Sequence, residues 1–446
     1  MKKIFSLAVV GVLIGLIFIS SGCTAPNTIT VMYPHSKDFA DHVFDGFKEW
    51  YSEVYGKSIT IKVVEASSDD CLLKVTEWNG TSPEADVWWG GGEYNFEVAR
   101  KAALLEPYKV TEDGNISASL GGWHLKDDSG TTPGWYAAAI SGFGIMYNTQ
   151  YLTTNSLDVP THWDNLTDDS YAGHIVMADP DYSGSTNAAV KQVLQYMSDQ
   201  HSGTEITNAA NLTDGWQYWA KVAGNIGEFT TSSSKVPTLV NDANYGIGIC
   251  IDYYALDKMG SNPNIGFNYG GATTVSPDPA GIIKGTKNLE NAQAFMDYLI
   301  GTEGQNRVGK YRTPANKKAT ATAPVLAAWD ASGNPTTSFP AITPFNPSLD
   351  GALHSRVKVL FHYWFVENTV KQTKAWEQIW DAATTPGERD AALVHYLKLP
   401  SNYNGTIAAL LALDYKATAV TDLWKNEGDT NFGAAYTAAG GTLFLI

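Results

Sequence analysis

The sequence has little positive charge. Its 446 residues include 30 lysines and arginines against 46 aspartates and glutamates, which gives a formal net charge of −16, and only five residues are arginine. A chain this acidic is unsuited to nucleic acid or to an anionic membrane surface, because both attract basic patches. With so few arginines, an anion site must rely on backbone N–H groups, hydroxyls and helix ends.

Cysteine is also scarce, and no long apolar run follows the first twenty residues. The three cysteines are Cys23, Cys71 and Cys250. A disulfide between the last two is permitted outside the cytoplasm, and their spacing does not decide whether they pair. The sequence also lacks a nucleophile elbow, a metal-ligand triad and a phosphate-loop lysine, which argues against catalysis.

The first residues are typical of a bacterial lipoprotein signal. Two lysines precede an apolar run over residues 4–19, and small residues stand before Cys23. We predict a signal peptide over residues 1–22 and acylation of Cys23, which would anchor the protein by lipid on the outer side of the cell membrane. The alternative is an uncleaved anchor, although the run is short for a membrane span.

A run of glycines organises the first part of the chain. Residues 85–89 predict a buried strand, Gly90, Gly91 and Gly92 follow with Glu93, and residues 94–103 predict a helix. This arrangement leaves free N–H groups at the positive end of the helix, where an anion or an oxygen-rich ligand is stabilised. The alternative is an ordinary tight turn.

The pattern around this turn predicts an α/β fold. Strands over residues 29–33, 59–65 and 85–89 alternate with helices, which favours a mostly parallel sheet covered on both faces. His35, Ser36 and the glycine turn then share the edge where ligands bind. A second strand, loop and helix over residues 175–199 places Ser183, Ser185 and Thr186 at another such edge.

The remaining chain is divided by a crossing and a linker. Residues 134–148 look like a strand that leaves one domain and enters another. A strand over residues 246–251 ends at Asp252, Tyr253 and Tyr254, residues 320–349 look like a linker, and helices are predicted over 357–382 and 388–397.

Nine runs in this order resemble the periplasmic solute-binding proteins of ABC importers, in the group that includes binders of ferric iron and of phosphorylated or phosphonate solutes. The matching runs are residues 29–36, 85–93, 141–148, 163–166, 179–186, 246–255, 281–285, 291–305 and 311–314. The resemblance implies a solute-binding protein, a permease as its partner, and a monomer. The chain beyond residue 314 is longer than the family leads one to expect.

The resemblance also implies the fold: two α/β lobes of the type 2-like periplasmic-binding-protein kind, joined by a hinge, with the ligand cleft between them. The predicted division is lobe 1 over residues 23–138, lobe 2 over 139–276, a return to lobe 1 over 277–320, and a helical region packed on the lobes over 321–446. Cys71 and Cys250 then lie in different lobes. Because a bond between them would lock the hinge, we expect two free, buried thiols.

Two kinds of ligand fit the residues that match the family. In iron-binding relatives, adjacent tyrosines, a histidine and a glutamate hold the metal, and His35, Glu93, Tyr253 and Tyr254 stand at the matching places. Fe(III) prefers phenolate and carboxylate oxygens, and would be the transported ligand, since no obligatory cofactor is expected. Neighbours in a strand face opposite ways, so both tyrosines can reach one metal only if the strand has ended.

The other ligand is a small organic solute with an oxyanion, phosphorylated or phosphonate. It would be held by Ser36, the backbone of Gly91 and Gly92, and the hydroxyls of Ser183, Ser185 and Thr186. Asp252 would repel an anion but would accept hydrogen bonds from an amine or a sugar hydroxyl, so a carbohydrate or a polyamine stays open. A secreted hydrolase would need paired carboxylates, for which Asp252 and Glu93 are the candidates. A surface adhesion module is suggested only by the poorly matched tail.

Overall fold

The computed structural model describes residues 27–198, 210–336, 339 and 347–441. The predicted signal peptide and Cys23 lie outside these residues. Within them, every helix is too short or too polar to span a membrane.

The strands, in chain order, are β1 (Thr28–Tyr33), β2 (Thr60–Glu65), β3 (Val87–Trp89), β4 (Leu105–Glu106), β5 (Ser119–Leu120), β6 (Trp123–His124), β7 (Tyr136–Ser141), β8 (Phe143–Asn148), β9 (Ile175–Ala178), β10 (Ile226–Thr230), β11 (Ile247–Ile251), β12 (Ile265–Asn268) and β13 (Ser276–Ile283).

The α-helices are α1 (Lys37–Tyr55), α2 (Ser68–Trp78), α3 (Glu93–Lys101), α4 (Thr149–Thr154), α5 (Gly184–Met197), α6 (Thr213–Asn225), α7 (Lys235–Asn241), α8 (Asp252–Met259), α9 (Leu289–Ile300), α10 (Thr302–Val308), α11 (Pro347–Phe361), α12 (Thr369–Asp381), α13 (Pro386–Tyr396), α14 (Ile407–Ala412) and α15 (Thr418–Ala438). A π-helical turn, His362–Val366, continues α11.

The first sheet has the order β2-β1-β3-β13-β4, and β7 also pairs with β13. Strand β1 is parallel to β2 and β3, whereas β13 is antiparallel to β3, β4 and β7. The sheet is therefore mixed, and the prediction of a mostly parallel sheet holds only for its β1–β3 side. The reason is that the chain leaves this sheet through β7 and returns to it through β13, which pairs with β7 and β3 in the antiparallel direction.

The second sheet has the order β10-β9-β11-β8-β12. Strand β9 is parallel to its two neighbours, β10 and β11, and β8 runs antiparallel to β11 and β12. Because β7 belongs to the first sheet and β8 to the second, the chain changes sheet at Gly142. It returns between β12 and β13. The exact domain boundaries given above stay a prediction.

Helix α1 shows why these segments become helices. Phe39, Val43, Phe44 and Phe47 recur at helical spacing and are all buried against the first sheet. Gly56 ends the helix in the left-handed conformation (φ 64°), which is cheap for glycine.

The C-terminal helices pack on the second sheet and its helices. Buried side chains of α11 and α12, such as Leu353, Phe361 and Trp376, share one apolar core with Ile249 of β11 and Val190 of α5. The free thiols of Cys71 and Cys250 are buried in separate clusters, as predicted. Burial raises the pKa of the Cys71 thiol to about 12, which makes it chemically inert at neutral pH.

Candidate functional site

A cavity of about 1000 Å³ lies between the two sheets. Nine of the eleven residues predicted to bind the ligand line it: His35, Ser36, Gly91, Gly92, Glu93, Ser183, Ser185, Tyr253 and Tyr254. Thr186 and Asp252 do not. The cavity is within the size range of pockets for organic ligands and is far larger than a single metal ion needs.

The glycine turn adopts the conformation that only glycine reaches easily, but its amides are already used. Gly91 (φ 112°) donates its N–H to Asp278 Oδ1 at 3.1 Å, and the amide of Gly92 also hydrogen-bonds this carboxylate. The predicted seat for a ligand oxyanion is thus filled by a carboxylate of the chain itself. That these two amides bind the ligand stays a prediction; the sequence does not show that Asp278, 187 residues beyond Gly91, reaches them on β13.

Arg312 completes this arrangement, and the sequence did not single it out. Its guanidinium forms a salt bridge with Asp278 and lies 4.2 Å from the ring centre of Phe39 and 3.8 Å from that of Tyr253. The residue is only 3 % exposed. Burial acts to raise the pKa of Asp278, while Arg312 and the glycine amides act to lower it. The scarcity of arginine was the one signal that could have drawn attention to this position.

His35 lies against the same group. Its side chain is 3 % exposed, its ring centre is 4.4 Å from that of Trp89, and its Nδ1 is 3.8 Å from Asp278 Oδ2. Burial and the nearby Arg312 hold its pKa well below the ordinary value, so the imidazole is neutral. Its Nε2 makes no hydrogen bond within the described part of the chain.

Tyr253 and Tyr254 open α8 rather than ending a strand. Their ring centres are 4.6 Å apart with planes at 54°, so both lie beyond β11 and the geometric objection from strand alternation is removed. Burial raises the pKa of Tyr253 well above its ordinary value, with Tyr254 acting in the same direction and Arg312 against it. A metal at Tyr253 would have to ionise this phenol with a guanidinium already on its ring.

Asp252 is buried and is hydrogen-bonded within the chain, and its contact with a ligand stays a prediction. Its carboxylate accepts hydrogen bonds from the N–H of Gly142 (2.8 Å), the N–H of Tyr253 (2.7 Å) and the hydroxyl of Tyr269 (2.8 Å). It is 2 % exposed, and burial raises its pKa to about 6. These hydrogen bonds join Asp252 to both sides of the crossing between the sheets, and Asp252 does not line the cavity.

The N-terminus of α5 forms the opposite wall. Ser183 caps the helix by accepting from the N–H of Thr186 at 3.2 Å, and its Oγ lies 3.2 Å from that of Ser185. Thr186 itself is 5 % exposed and faces the protein interior. Ser36 caps α1 without a hydrogen bond from its side chain, which leaves its hydroxyl on the cavity side.

One face of α5 extends this polar wall and was missed by the sequence reasoning. Lys191, Gln192 and Gln195 line the cavity and are 5 %, 2 % and 3 % exposed. A signal for this face is present in the sequence: Asn187, Lys191 and Gln195 recur at a spacing of four, among apolar residues such as Val190, Val193 and Leu194.

Serines are frequent in the lining of the cavity. Ten serines contact the cavity: Ser36, Ser67, Ser68, Ser141, Ser183, Ser185, Ser232, Ser233, Ser234 and Ser276. In contrast, no group of three or more His, Cys, Asp or Glu side chains within the described ranges is arranged to hold a metal ion. The site is therefore richer in neutral hydrogen-bonding groups than in hard anionic metal ligands.

Comparison with known proteins identifies a family and relatives for this chain. Residues 86–329 match the family model described as bacterial extracellular solute-binding protein. The chain is 28 % identical over 183 residues to the phosphoglycerate transport regulatory protein PgtC of Salmonella typhimurium, a match that covers 39 % of this chain and 42 % of PgtC. The match thus spans less than half of that relative.

Two solved structures share the fold. The periplasmic binding protein AfuA of Actinobacillus pleuropneumoniae, with fructose-6-phosphate bound, has a TM-score of 0.60 and 18 % identity, covering 76 % of this chain and 99 % of AfuA. Iron-bound HitA of Pseudomonas aeruginosa has a TM-score of 0.53 and 16 % identity, covering 75 % and 98 %. At these identities the likeness shows the fold, and it confirms the predicted two-lobed α/β architecture.

Proposed function

This chain belongs to the bacterial extracellular solute-binding protein family, and from that premise we propose that it captures a small organic solute carrying a phosphate or phosphonate group and delivers it to an ABC import permease. The observation that carries the proposal is the wall formed by α5, where Ser183 and Ser185 at the helix N-terminus and the buried Lys191, about two turns further along, all line the cavity. Helix N-termini, hydroxyls and a lysine are the groups that stabilise a phosphate.

The opposite side of the cavity suits the rest of such a solute. Asp69 and Glu93 line it from the first sheet's side, and carboxylates accept hydrogen bonds from hydroxyl or amino groups. The nearby Arg100 and Lys126 are held by other partners: Arg100 by Glu97 at 2.9 Å and Lys126 by Asp113 at 2.8 Å. A solute with its phosphate towards α5 and its hydroxyls or amine towards α3 satisfies both sides. The names of PgtC and of the AfuA complex support this class of solute.

The test combines native mass spectrometry with calorimetry on the full chain. Protein from its source should carry an organic mass without iron. At least one of fructose 6-phosphate, 3-phosphoglycerate and 2-aminoethylphosphonate should bind, whereas fructose, the control that lacks the phosphate group, should not. The solute should be recovered unchanged, because we propose a binder that acts as a monomer and performs no reaction. Equal binding of fructose and its phosphate would refute the phosphate assignment.

Ferric iron is a second candidate cargo, because His35, Glu93, Tyr253 and Tyr254 line one cavity and the neutral His35 has no hydrogen-bond partner at Nε2 within the described residues. Bound iron with a visible tyrosinate band would establish it. In that case Tyr254→Phe should abolish the colour, since a hard cation loses an anionic oxygen. With an organic solute, the same variant should lose only about 1 kcal/mol of binding free energy.

We further propose that the protein is held at the membrane by lipid on Cys23. The support is the apolar run followed by small residues and a cysteine. Cys23→Ser should release the protein from membranes or leave an unprocessed precursor. An unmodified Cys23 in protein from its source, seen by mass spectrometry, would overturn this proposal.

A further inference from the structure

The C-terminal helical region reaches the solute cavity. Gly351 and His354 of α11 line it together with the residues described above. The match to the family model ends at residue 329, before α11 begins. These two residues therefore add a wall to the cavity from a part of the chain that lies outside the family match.

Helix α11 is fixed to the side of the second sheet. Leu353 and Val357 are fully buried in the core that this sheet shares with the C-terminal helices. The side chain of Asn187 in α5 donates to the backbone oxygen of His354 at 2.9 Å, and the ammonium of Lys358 lies 3.6 Å from Asp181. Any movement of the second lobe therefore carries His354 with it.

His354 contacts the other lobe through an aromatic stack. Its ring lies 4.6 Å from that of Tyr94 with an angle of 2° between the planes, and Tyr94 belongs to α3, which follows the glycine turn of the first sheet. A Cβ atom at Gly351 would lie 3.7 Å from the same tyrosine, so the ring rests on the surface of α11. Tyr94 keeps 40 % of its surface exposed, so it is not part of the buried core of the first lobe.

The charge state of His354 suits this contact. Burial lowers its pKa to about 3, and Lys191 and Lys358 act in the same direction. The imidazole is therefore neutral at physiological pH, and stacking beside the ammonium of Lys191 adds no repulsion. Two flat neutral rings across a gap between lobes form a contact that exists only when the lobes are close.

We infer that the C-terminal helical region is the outer jaw of the solute cleft and that the stack between Tyr94 and His354 holds the cleft closed. The inference rests on the proposed function in so far as the cleft binds a solute. It goes further by assigning the region after residue 329 a share in binding and by naming the closing contact. Removing either ring should shift the lobes towards an open arrangement and weaken solute binding.

The first test needs no ligand. Dyes attached through unnatural amino acids at the exposed positions Lys57 and Lys416 report the distance between the first lobe and the C-terminal region. Tyr94→Ala and His354→Ala should each lengthen this distance, and the double variant should add little, because both changes remove one contact. Tyr94→Phe keeps a ring and should behave like the parent. Tyr55→Ala, which removes another exposed aromatic of the first lobe, is the control. Parental distances in both alanine variants would overturn the inference.

The second test measures affinity for whichever of fructose 6-phosphate, 3-phosphoglycerate or 2-aminoethylphosphonate binds the parent. The alanine variants should bind it about three- to ten-fold more weakly, and Tyr94→Phe should bind it with parental affinity. Unchanged affinity in both alanine variants would contradict a share in binding. If none of the three binds the parent, the proposed function fails, and the distance measurement alone decides the inference.

Discussion

At the scale of single residues, Lys191 contributes a positive charge to the cavity wall that α5 forms. It sits in the middle of α5, is 5 % exposed, and lines the cavity beside Gln192 and Gln195. Lysine is rarely so deeply buried, because removing its charge from water is costly unless other groups compensate. A solute phosphate would add a further partner of opposite charge at this place. The lysine therefore gives the sharpest test of the phosphate assignment.

Lys191→Met removes the charge and keeps the length of the side chain. We expect the affinity for the phosphorylated solute to fall about ten- to a hundred-fold, because hydrogen bonds to charged groups contribute about 1.5–3 kcal/mol. Calorimetry on the full chain measures the change. Lys62→Met, at an exposed position on the edge strand β2, is the matched control and should bind normally. Parental affinity in Lys191→Met would place the phosphate elsewhere.

The residues around the glycine turn show what sequence reasoning can and cannot reach at this scale. The strand, the glycines and the helix follow from local preferences, and the structure has them as β3, the turn and α3. The group that binds the amides of this turn does not follow from local preferences, because Asp278 and Arg312 are distant in sequence. Strand β13 brings Asp278 to the turn, and the segment after α10 brings Arg312. A local sequence pattern can show that a backbone N–H group lacks an acceptor within its own turn. Only the tertiary fold shows whether the chain or a ligand provides that acceptor.

At the scale of elements, an ionic network that runs from the buried Asp179 to the exposed Lys425 links the C-terminal helices to the second sheet. Asp179 follows β9, and its Oδ2 is 2.6 Å from Nδ1 of His362 in the π-helical turn. The Nε2 of the same ring lies 3.4 Å from Glu367, which pairs at 2.6 Å with Lys425 of α15. Burial acts to lower the pKa of His362, but the hydrogen bond and charge of Asp179, with Asp181 and Glu367, raise it overall.

This raised pKa predicts how stability depends on pH. An unfolded histidine titrates near pH 6.5. The stabilisation by protonated His362 is therefore fully present below that pH and is lost as the pH rises through the higher pKa of the folded state. We expect His362→Gln to lower the melting temperature more at about pH 5.5 than at about pH 8. His395→Gln, at an exposed position, is the control. An equal loss at both values would show that His362 acts only through packing.

The C-terminal helices show which elements the sequence pattern predicts and which it does not. Helices over 357–382 and 388–397 were predicted from their aromatic spacing, and the structure has α11, the π-helical turn, α12 and α13 there. Helices α14 and α15 lie within residues 321–446, the region that the sequence analysis expects to be helical, but their individual bounds do not follow from the sequence pattern. Helix α14 has only six residues, too few to show a helical period, and α15 is rich in alanine, threonine and glycine, so its apolar stripe is weak. Both are helical mainly because their buried side chains reach the shared core, Ile407 and Leu410 from α14 and Trp424 and Phe432 from α15.

At the scale of the whole molecule, two chain segments connect the sheets and must carry any closing movement. The first is Gly142, between β7 and β8, and the second runs from β12 to β13. They touch each other: the hydroxyl of Thr273 accepts from the N–H of Phe143 at 2.8 Å, and Thr273 is fully buried. The crossing was visible in the sequence as a change of pattern, but the contact between the two segments was not, because it joins residues 130 positions apart.

Position 142 has no room for a side chain, because the second connecting segment passes directly beside Gly142. A Cβ atom there would lie 2.7 Å from Thr273 Oγ1 and 2.9 Å from the ring of Tyr269, which is nearer than such atoms approach. Neither neighbour moves freely, since Thr273 is β-branched and Tyr269 is hydrogen-bonded to Asp252. We expect Gly142→Ala to lower the free energy of unfolding by about 1–3 kcal/mol, measured in urea, because it overpacks a buried site.

The same substitution should also alter the relation of the lobes, since the two segments it separates are the connections between them. We expect small-angle scattering of Gly142→Ala without added solute to give a larger radius of gyration than the parent. The added methyl group would push the two connecting segments apart, and β8 and β13, into which they lead, would separate with them. Gly114→Ala is the matched control: its Cβ would meet no atom within 4 Å, and its φ is not positive. Gly114→Ala should match the parent in both measurements. A destabilised Gly142→Ala with parental dimensions would mean that the crossing is a rigid support and that closure bends the chain elsewhere.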